Sequence, residues 1–278
     1  MAERGRLYVV ATPIGNLDDL SPRARSILDS VDVIAAEDTR VTRRLLDSAS
    51  SKARLVSYRD ENERRMAERL VESLREGKSI ALVSDAGTPA ISDPGYRLVR
   101  EAARAGIEVV AIPGPSALTA LLSVSGLPTD RLAFDGFLPS TGAARRKAIE
   151  SMIGSGRTHV LYESPRRIER LLGELAEILE DPPVAVGREL TKVHEEVLRG
   201  TATEVGTTLA EKGPRGEFAV AVHVAESEAA LDDERIEREI AMLLDKGLTV
   251  RDVAEFLKER GVSRRVVYDT ARRLDSER

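Results

Sequence analysis

Five apolar runs rich in β-branched residues, separated by helical patterns, limit what this chain can fold into more than any other feature. The runs occupy residues 7–11, 31–37, 53–58, 79–85 and 107–113. Each is largely continuous, which is typical of strands covered on both faces in a parallel sheet. Between them, segments such as Asn62 to Arg75 carry an apolar stripe at helical spacing. This order predicts an α/β layer with a largely parallel sheet.

A second α/β region is predicted after the proline- and glycine-rich stretch 112–116. Its predicted strands are 132–138, 158–164, 184–190 and 217–224, and its predicted helices are 142–154, 165–180 and 201–212. The last of these strands alternates more than the strands of the first half. We therefore expect it at a sheet edge, or with a single covered face.

The 278 residues therefore divide into three parts. We predict an N-terminal α/β domain over 1–115, a C-terminal α/β domain over 116–226 and a small helical tail over 233–278. Residues 225–234 have the composition of a linker. Within the tail, two helical patterns flank a turn that contains Gly261, which is the shape of a helix-turn-helix.

Composition excludes several classes of protein. The chain has no Cys, which excludes a disulfide scaffold, a thiolate nucleophile and a cysteine zinc site. The histidines His159, His194 and His223 show no metal-ligand spacing, so we expect no metal. There is no apolar run of 18 residues and no signal-peptide pattern. We expect a cytoplasmic protein with no membrane partner.

Loops of small and polar residues follow four of the predicted strands. They are segments 12–17, 37–40, 84–95 and 113–117. In open α/β sheets, ligands bind beyond the carboxyl ends of the strands, and small residues let the backbone approach them closely. We therefore expect a ligand site at this edge. The G-x-G-x-x-G, P-loop and G-x-S-x-G motifs are absent, so a standard dinucleotide fold, a P-loop hydrolase and a nucleophile elbow are unsupported.

Eight motifs, in the expected order, carry a resemblance to a known family. They are TPIGNL (12–17), AAEDTR (35–40), SDAGTPAISDPG (84–95), PGPSA (113–117), GFLP (136–139), YESPRR (162–167), GRELTKVHEE (187–196) and GEFAVAV (216–222). Over roughly residues 5–224 the chain resembles the tetrapyrrole methylase superfamily. The TPIGNL and SDAGTP forms resemble its branch that methylates the ribose 2′-hydroxyl of a cytidine in small-subunit (16S) ribosomal RNA.

The resemblance implies two α/β domains with a cleft between them that binds S-adenosylmethionine, in a homodimer. Carried over by motif, ten residues would hold that cofactor: Pro13, Asp85, Ala86, Thr88, Ile91, Ser116, Ala117, Tyr162, Glu163 and Leu190. Core packing is the other reading for Ile91 and Leu190. A ribosomal RNA or ribosomal subunit would be the partner.

Methyl transfer to a hydroxyl needs in-line alignment, and a nearby base or a cationic group would assist it. Asp38 and Arg40 of the EDTR motif are our first choice for these catalytic roles. The other reading is that Asp38 caps a helix over 39–49 and Arg40 is its ion-pair partner. Further candidates are Asp85, Glu163, Arg188, Glu189, Lys192, His194 and Glu195.

Two basic segments stand out although the formal net charge of the chain is −5. Residues 140–170 hold seven Arg and Lys against three Glu, and residues 258–273 hold six against two acidic residues. Basic clusters bind phosphates, and solvated helix faces are the other reading. Our candidates for RNA contacts are Arg145, Arg146, Lys147, Arg166, Arg167, Arg264 and Arg265.

Two rival functions stay open at this point. A methylase of a small tetrapyrrole would have an apolar, aromatic acceptor pocket and no need for the basic tail. A DNA-binding regulator would use residues 245–275 as its helix-turn-helix and the α/β part as a ligand sensor. The second reading leaves the loops at 12–17, 84–95 and 113–117 without a catalytic purpose.

Overall fold

The computed structural model describes residues 5–46, 51–226, 233–258 and 262–276. It contains two five-stranded sheets with helices packed on them, followed by a group of three helices. This architecture confirms the predicted class of two α/β domains with a C-terminal helical region.

The first sheet is parallel throughout. Its strands are β1 (Arg6–Val10), β2 (Val33–Ala36), β3 (Arg54–Ser57), β4 (Ile80–Val83) and β5 (Glu108–Ile112), in the order β3-β2-β4-β1-β5. Its helices are α1 (Pro22–Ser30), α2 (Thr39–Leu46), α3 (Glu63–Arg75) and α4 (Tyr96–Arg104), with a 3₁₀ turn over Leu17–Asp19. Because all carboxyl ends lie on one edge, the four predicted ligand loops meet there.

Helices cover both faces of this sheet, which explains the continuous apolar runs. Leu7 and Leu82 pack on the side of α3 and α4. Val10 and Ile34 pack on the opposite side, with Leu28 of α1. Ser21 caps α1 by accepting a hydrogen bond from the backbone N–H of Ala24 (3.1 Å), with Pro22 as the first helical residue.

The second sheet is mixed. Its strands are β6 (Leu132–Phe137), β7 (Ser155–Glu163), β8 (Pro183–Arg188), β9 (Glu196–Thr201) and β10 (Phe218–Glu226), in the order β6-β7-β10-β8-β9. Among these described strands, β6 and β7 pair in parallel and the other neighbours are antiparallel. Its helices are α5 (Ala117–Ser125), α6 (Gly142–Glu150), α7 (Ile168–Ile178) and α8 (Ala202–Lys212).

The expectation for the last strand is wrong, because β10 lies at the centre of its sheet. The alternation in its sequence is between small and large apolar residues, and both faces are covered. Ala219 and Ala221 lie on the face that packs with Leu121 of α5. Val220 and Val222 lie on the face that packs with residues of α7 and α8. Strand β9 is an edge strand that the sequence analysis did not predict.

The tail has a small core of its own. Helices α9 (Asp233–Asp245), α10 (Val250–Lys258) and α11 (Arg264–Ser276) meet around Ile240, Val253 and Val267. Gly261, on which the predicted turn depended, and most of the predicted linker over 225–234 lie outside the described residues. Among the described residues, no helix is both long enough and apolar enough to cross a bilayer.

Candidate functional site

A cavity of about 390 Å³ lies between the carboxyl edge of the first sheet and the second α/β domain. This main cavity receives residues from both domains, and eight of the ten residues predicted to hold a cofactor line it. They are Ala86, Thr88, Ile91, Ser116, Ala117, Tyr162, Glu163 and Leu190. Its volume falls within the range of small-molecule sites, about 300–1,000 Å³.

The other two predicted cofactor residues lie in an adjoining cavity of about 280 Å³. Pro13 and Asp85 line it together with Leu17 and Val41. Asp85 Oδ1 accepts a hydrogen bond from the backbone N–H of Asp38 (2.9 Å). Asp85 therefore joins loop 84–95 to the EDTR segment, and neither it nor Pro13 is on the wall of the main cavity.

Loop 84–95 is held in one conformation by neighbouring loops. Thr12 and Gly87 exchange backbone hydrogen bonds of 2.9 and 3.0 Å, and Thr88 Oγ1 donates to the Pro115 carbonyl (3.2 Å). Ala90 and Ser92 adopt left-handed backbone conformations, with φ of 66° and 64°. Such conformations cost free energy in residues other than glycine and persist only where the surroundings impose them.

Aromatic rings form part of the wall on the second-domain side. Tyr162 packs edge-to-face against Phe134, with ring centroids 5.2 Å apart, and against Phe137 at 5.7 Å. Phe137 ends β6, lines the main cavity and is 56% exposed. Its ring therefore stands at the cavity mouth, a feature that the sequence analysis did not single out.

Glu163 is a buried residue of the main cavity wall and lies between two arginines. Its carboxylate accepts from Arg145 Nη1 (3.1 Å), Arg167 Nε (2.7 Å) and the backbone N–H of Ser164 (2.8 Å). Arg145 Nε also donates to Glu174 (2.5 Å), and the Arg145 side chain is 0% exposed. The prediction that Arg145 contacts RNA is therefore wrong, because this guanidinium neutralises two carboxylates inside the domain.

The other predicted RNA contacts are nearer the surface. Arg146 is exposed and pairs with Glu150 (2.9 Å) and Glu177 (3.0 Å), whereas Arg167 is half-buried against Glu163. The remaining four are exposed: Lys147, Arg166, Arg264 and Arg265. They stay candidates for contacts with a polyanion.

The EDTR residues form a closed ion pair. Arg40 Nε and Nη2 donate to Oδ1 (3.0 Å) and Oδ2 (2.5 Å) of Asp38, and the backbone N–H of Arg40 donates to Oδ1 (2.8 Å). Asp38 thus caps α2, as the alternative reading supposed. The hydrogen bonds from Arg40 hold the pKa of Asp38 well below its usual range. The Arg40 side chain is 81% exposed.

The pKa values of two other carboxylates are raised, and the sequence analysis did not single out either residue. Burial, followed by the charges of Asp85 and Asp93, raises the pKa of Glu37. Burial also raises the pKa of Asp93, aided by Asp85 and Asp60 and opposed by a hydrogen bond with Ser84. Asp93 lines the main cavity. Both residues belong to recognised motifs, but no local pattern shows which carboxylate has a cationic partner.

Loop 189–195 connects the second domain to loop 12–17 of the first. Glu189 and Thr191 have left-handed φ values of 50° and 66°. Lys192 Nζ donates to Glu189 and Glu217, both at 2.9 Å. A Cβ built on Gly15 would lie 2.4 Å from Lys192 Cγ and 3.1 Å from the Leu190 carbonyl oxygen, so the two loops touch.

The remaining candidates from this region lie around the loop. His194 is exposed, and Glu195 Oε2 accepts from the backbone N–H of Thr191 (2.7 Å). Arg188 Nε donates to the Arg215 carbonyl (2.9 Å). None of these three residues is on the wall of the main cavity as described.

Comparison with known proteins identifies the family to which this chain belongs. The family model of tetrapyrrole (corrin/porphyrin) methylases matches residues 6–206. A ribosomal RNA small subunit methyltransferase I from Xylella fastidiosa (strain Temecula1) is 46% identical over 273 residues, covering 96% of this chain and 99% of the relative. A protein of the same name from Thermotoga maritima is 45% identical over 216 residues, covering 78% of this chain and 97% of the relative.

A solved structure shows the shared fold. A cobalamin biosynthetic enzyme, cobalt precorrin-4 methyltransferase, superposes with a TM-score of 0.60 at 19% identity, covering 80% of this chain and 96% of that one. This likeness concerns the fold alone, and the family model and the sequence relatives carry the assignment. The chain belongs to the tetrapyrrole (corrin/porphyrin) methylase family, within the group of the ribosomal RNA small subunit methyltransferase I relatives.

Proposed function

We propose that this chain is an S-adenosylmethionine-dependent methyltransferase that methylates the ribose 2′-hydroxyl of a cytidine in small-subunit (16S) ribosomal RNA. The observation that carries the proposal is the main cavity, where both domains bring together eight of the ten motif-predicted cofactor residues. The names of near-full-length relatives support ribosomal RNA as the acceptor.

The cavity walls suit such a cofactor. Ala86, Gly87 and Ala117 are small, so a ligand can approach the backbone closely there. A Cβ on Gly87 would lie only 3.3 Å from Ile14 Cγ2, which leaves little room for a larger side chain at that position. Ile91 and Leu190 add apolar surface for a flat heterocycle. We expect Pro13 and Asp85 to act from the adjoining cavity, by holding loops 12–17 and 84–95 in place.

The cofactor supplies a methyl group that is already activated as part of a sulfonium cation. The protein must therefore position the acceptor oxygen in line with that methyl group and take up the proton of the hydroxyl. The contact between loops 12–17 and 189–195 brings the two domains together beside the cavity.

Arg40 and Asp38 have distinct parts in this proposal. Because its carboxylate is bound to Arg40 and its pKa is lowered, Asp38 is a poor proton acceptor and serves to hold the guanidinium. The exposed part of the Arg40 guanidinium is available to an acceptor phosphate or to developing negative charge on oxygen.

We propose that the acceptor RNA lies along the exposed basic residues of α6, of the following strand–helix segment and of α11. These are Arg146, Lys147, Arg166, Arg264 and Arg265. Phosphate contacts of this kind position a nucleic acid without reading its sequence. In a homodimer, which we also expect, two such surfaces would be available to one ribosomal particle. Sedimentation in solution would test the dimer.

Transfer of label to ribosomal RNA tests the function. Small subunits from a strain that lacks the corresponding gene are incubated with the protein and methyl-labelled S-adenosylmethionine. We expect one label on the O2′ of a cytidine, and none on subunits from the parent strain, which are already methylated. Absence of label would contradict the proposal, label on a base atom would contradict its regiochemistry, and label on a small tetrapyrrole would favour the rival methylase.

A further inference from the structure

We propose that Asp93 is the general base of this reaction and receives the proton of the acceptor hydroxyl. The inference rests on the proposed function and assigns a role that neither the motifs nor the first-choice pair Asp38 and Arg40 provide. It follows from the charge pairing around the main cavity, where Asp93 differs from the other two carboxylates that line it.

Three carboxylates line the main cavity in the described part of the chain: Asp93, Glu163 and Glu217. Glu163 is held between Arg145 and Arg167. Glu217 pairs with Lys192 (2.9 Å), and its side chain is 79% exposed. Protonation of either would break an ion pair. Asp93 has no Arg or Lys partner among the described residues, so it can accept a proton without that loss.

Three carboxylates near the cavity also have hydrogen-bond or ion-pair partners. Asp38 is bound to Arg40 on both oxygens, and Asp85 receives the backbone N–H of Asp38 while lining the smaller cavity. Glu189 is bound by Lys192, and this bond lowers its pKa. Elimination therefore leaves Asp93 as the carboxylate that both reaches the main cavity and lacks a cation.

The groups that face Asp93 are acidic or neutral. Asp85 and Asp60 act on it from neighbouring loops, and the Ser84 hydroxyl opposes them. Glu37 and Tyr162 are close enough for the charge of Asp93 to raise their own pKa values. Burial first, then the charges of Asp85 and Asp60, raise the pKa of Asp93. A raised pKa makes the ionised carboxylate a stronger base.

The backbone holds Asp93 at the junction of the two domains. Ser92, with its left-handed φ of 64°, directly precedes it, and a Cβ on Gly136 of β6 would lie 2.8 Å from Ser92 Oγ. Two residues after Asp93, a Cβ on Gly95 would lie 2.9 Å from Leu82 Cδ2, so glycine is favoured at position 95. The segment is therefore packed from both sides, as expected of a residue that must be positioned accurately.

The proposed step balances in atoms and charge. The ribose O2′ forms a bond to the methyl carbon as the carbon–sulfur bond breaks, and the sulfur keeps that electron pair. The hydroxyl proton passes to the Asp93 carboxylate. The products are the 2′-O-methyl ribose, neutral S-adenosylhomocysteine and a protonated Asp93, which then releases its proton to water.

The test uses Asp93→Asn in the full-length protein, with small subunits from the deletion strain as acceptor. We expect kcat to fall by about 10²- to 10⁴-fold, the usual contribution of a general base, with S-adenosylhomocysteine affinity within about threefold of the parent. The parent's kcat should fall with slope one as pH drops through the pKa of Asp93, because protonation removes the base. The variant should lack this acid limb.

Asp60→Asn is the matched control, since Asp60 is exposed and not among the residues that line the cavity. It should keep kcat within about twofold and move the acid limb to lower pH, because it removes a like charge that raises the pKa of Asp93. This shift tests the assignment even if Asp93→Asn does not fold.

The outcomes separate the two proposals. An Asp93→Asn protein that keeps its acid limb and most of its kcat would overturn Asp93 as base and leave the methyltransferase function standing. If the folded variant loses S-adenosylhomocysteine binding, the role of Asp93 as a base is overturned too, because Asp93 would then be a cofactor-binding residue. No labelling of RNA by the parent protein would overturn the function itself.

Discussion

Arg145 and Arg146 are adjacent in the sequence and have opposite environments in the fold. Arg145 is fully buried between Glu163 and Glu174, whereas Arg146 lies on the exposed side of α6 with two surface partners. From residue type and local charge, both residues were predicted to contact RNA. Burial separates them, because a guanidinium can leave water only where carboxylates replace its hydration.

Replacing Arg145 with Ala should therefore lower the free energy of unfolding by about 3–5 kcal/mol, because it leaves buried carboxylates short of a partner. Arg146→Ala, the matched control, should change it by less than about 1 kcal/mol. Denaturant unfolding at neutral pH measures both. Equal effects would contradict the burial of Arg145.

The stability difference between the parent protein and Arg145→Ala should also depend on pH. Burial alone would raise the pKa of Glu174, but hydrogen bonds from Arg145 and Arg170 lower it overall. A lowered carboxyl pKa stabilises the fold above the ordinary Glu value, about 4.3, and this stabilisation is lost as pH falls through the lowered value. The stability gap between parent and Arg145→Ala should therefore shrink on acidification below about pH 4.3.

Phe137 is the residue at the cavity mouth for which we expect a role in acceptor recognition. An exposed ring supported by Tyr162 offers a surface on which a base can stack, a contact worth about 1–3 kcal/mol. Phe137→Ala should weaken binding of the acceptor RNA by about 5- to 150-fold, and Phe137→Tyr should retain it. Leu132→Ala, at the other end of β6 and 45% exposed, is the control.

Fluorescence can locate the stacking partner. The chain has no Trp, so Phe137→Trp would introduce a single indole. We expect acceptor RNA to quench it and S-adenosylhomocysteine alone to leave it unchanged. Quenching by S-adenosylhomocysteine would instead place the adenine against this ring.

At the scale of elements, the apolar pattern predicted where strands lie in the sequence better than it predicted their order in the sheet. All five strands of the first sheet coincide with predicted runs, because a strand covered on both faces needs a continuous apolar sequence. The place of β10 was predicted wrongly and β9 was missed. Strand order depends on contacts distant in sequence, and β9 is only half-buried, so its apolar signal is weak.

The contact between loops 12–17 and 189–195 leads to a prediction for Gly15. A methyl group there would collide with Lys192 Cγ (2.4 Å) and Thr191 Oγ1 (2.9 Å) and crowd the Leu190 carbonyl, and we expect it to shift Leu190, which lines the cavity. We expect Gly15→Ala to weaken S-adenosylhomocysteine binding about tenfold, within the usual cost of overpacking, about 1–3 kcal/mol. Calorimetric titration measures this affinity.

Gly173→Ala is the control for this substitution. Gly173 lies within α7, and a Cβ there would meet nothing within 4 Å. Alanine should raise the free energy of unfolding by roughly 0.5–1 kcal/mol and leave the affinity unchanged. An unaltered affinity in Gly15→Ala would mean that the loop contact does not shape the cavity.

At the scale of the whole molecule, the tail helices form a unit with its own core. The described tail helices share a core that contains no residue from the α/β domains, and the relative from Thermotoga maritima is matched over 97% of its length by 78% of this chain. We propose that the α/β domains form the catalytic unit and that the tail adds RNA-binding surface to it.

The salt dependence of RNA binding tests this division. Each phosphate contact contributes about 0.7–0.9 to the slope of log K against log salt concentration. Changing Arg264 and Arg265 together to Ala should reduce the slope by up to about two and leave the affinity for S-adenosylhomocysteine unaltered. An unchanged slope would remove the tail arginines from the RNA interface.

The sequence by itself determined the fold class and the loops that form the site. Burial on both faces requires continuous apolar runs, and parallel strands bring their carboxyl ends to one edge, so both features are encoded locally. The motifs also located eight residues of the cavity wall. Tertiary structure alone decided which charges are paired, because partners such as Arg145 and Glu174 come from different elements. That pairing removed Arg145 from the RNA surface, bound Asp38 to Arg40 and left Asp93 in the main cavity without an Arg or Lys partner among the described residues.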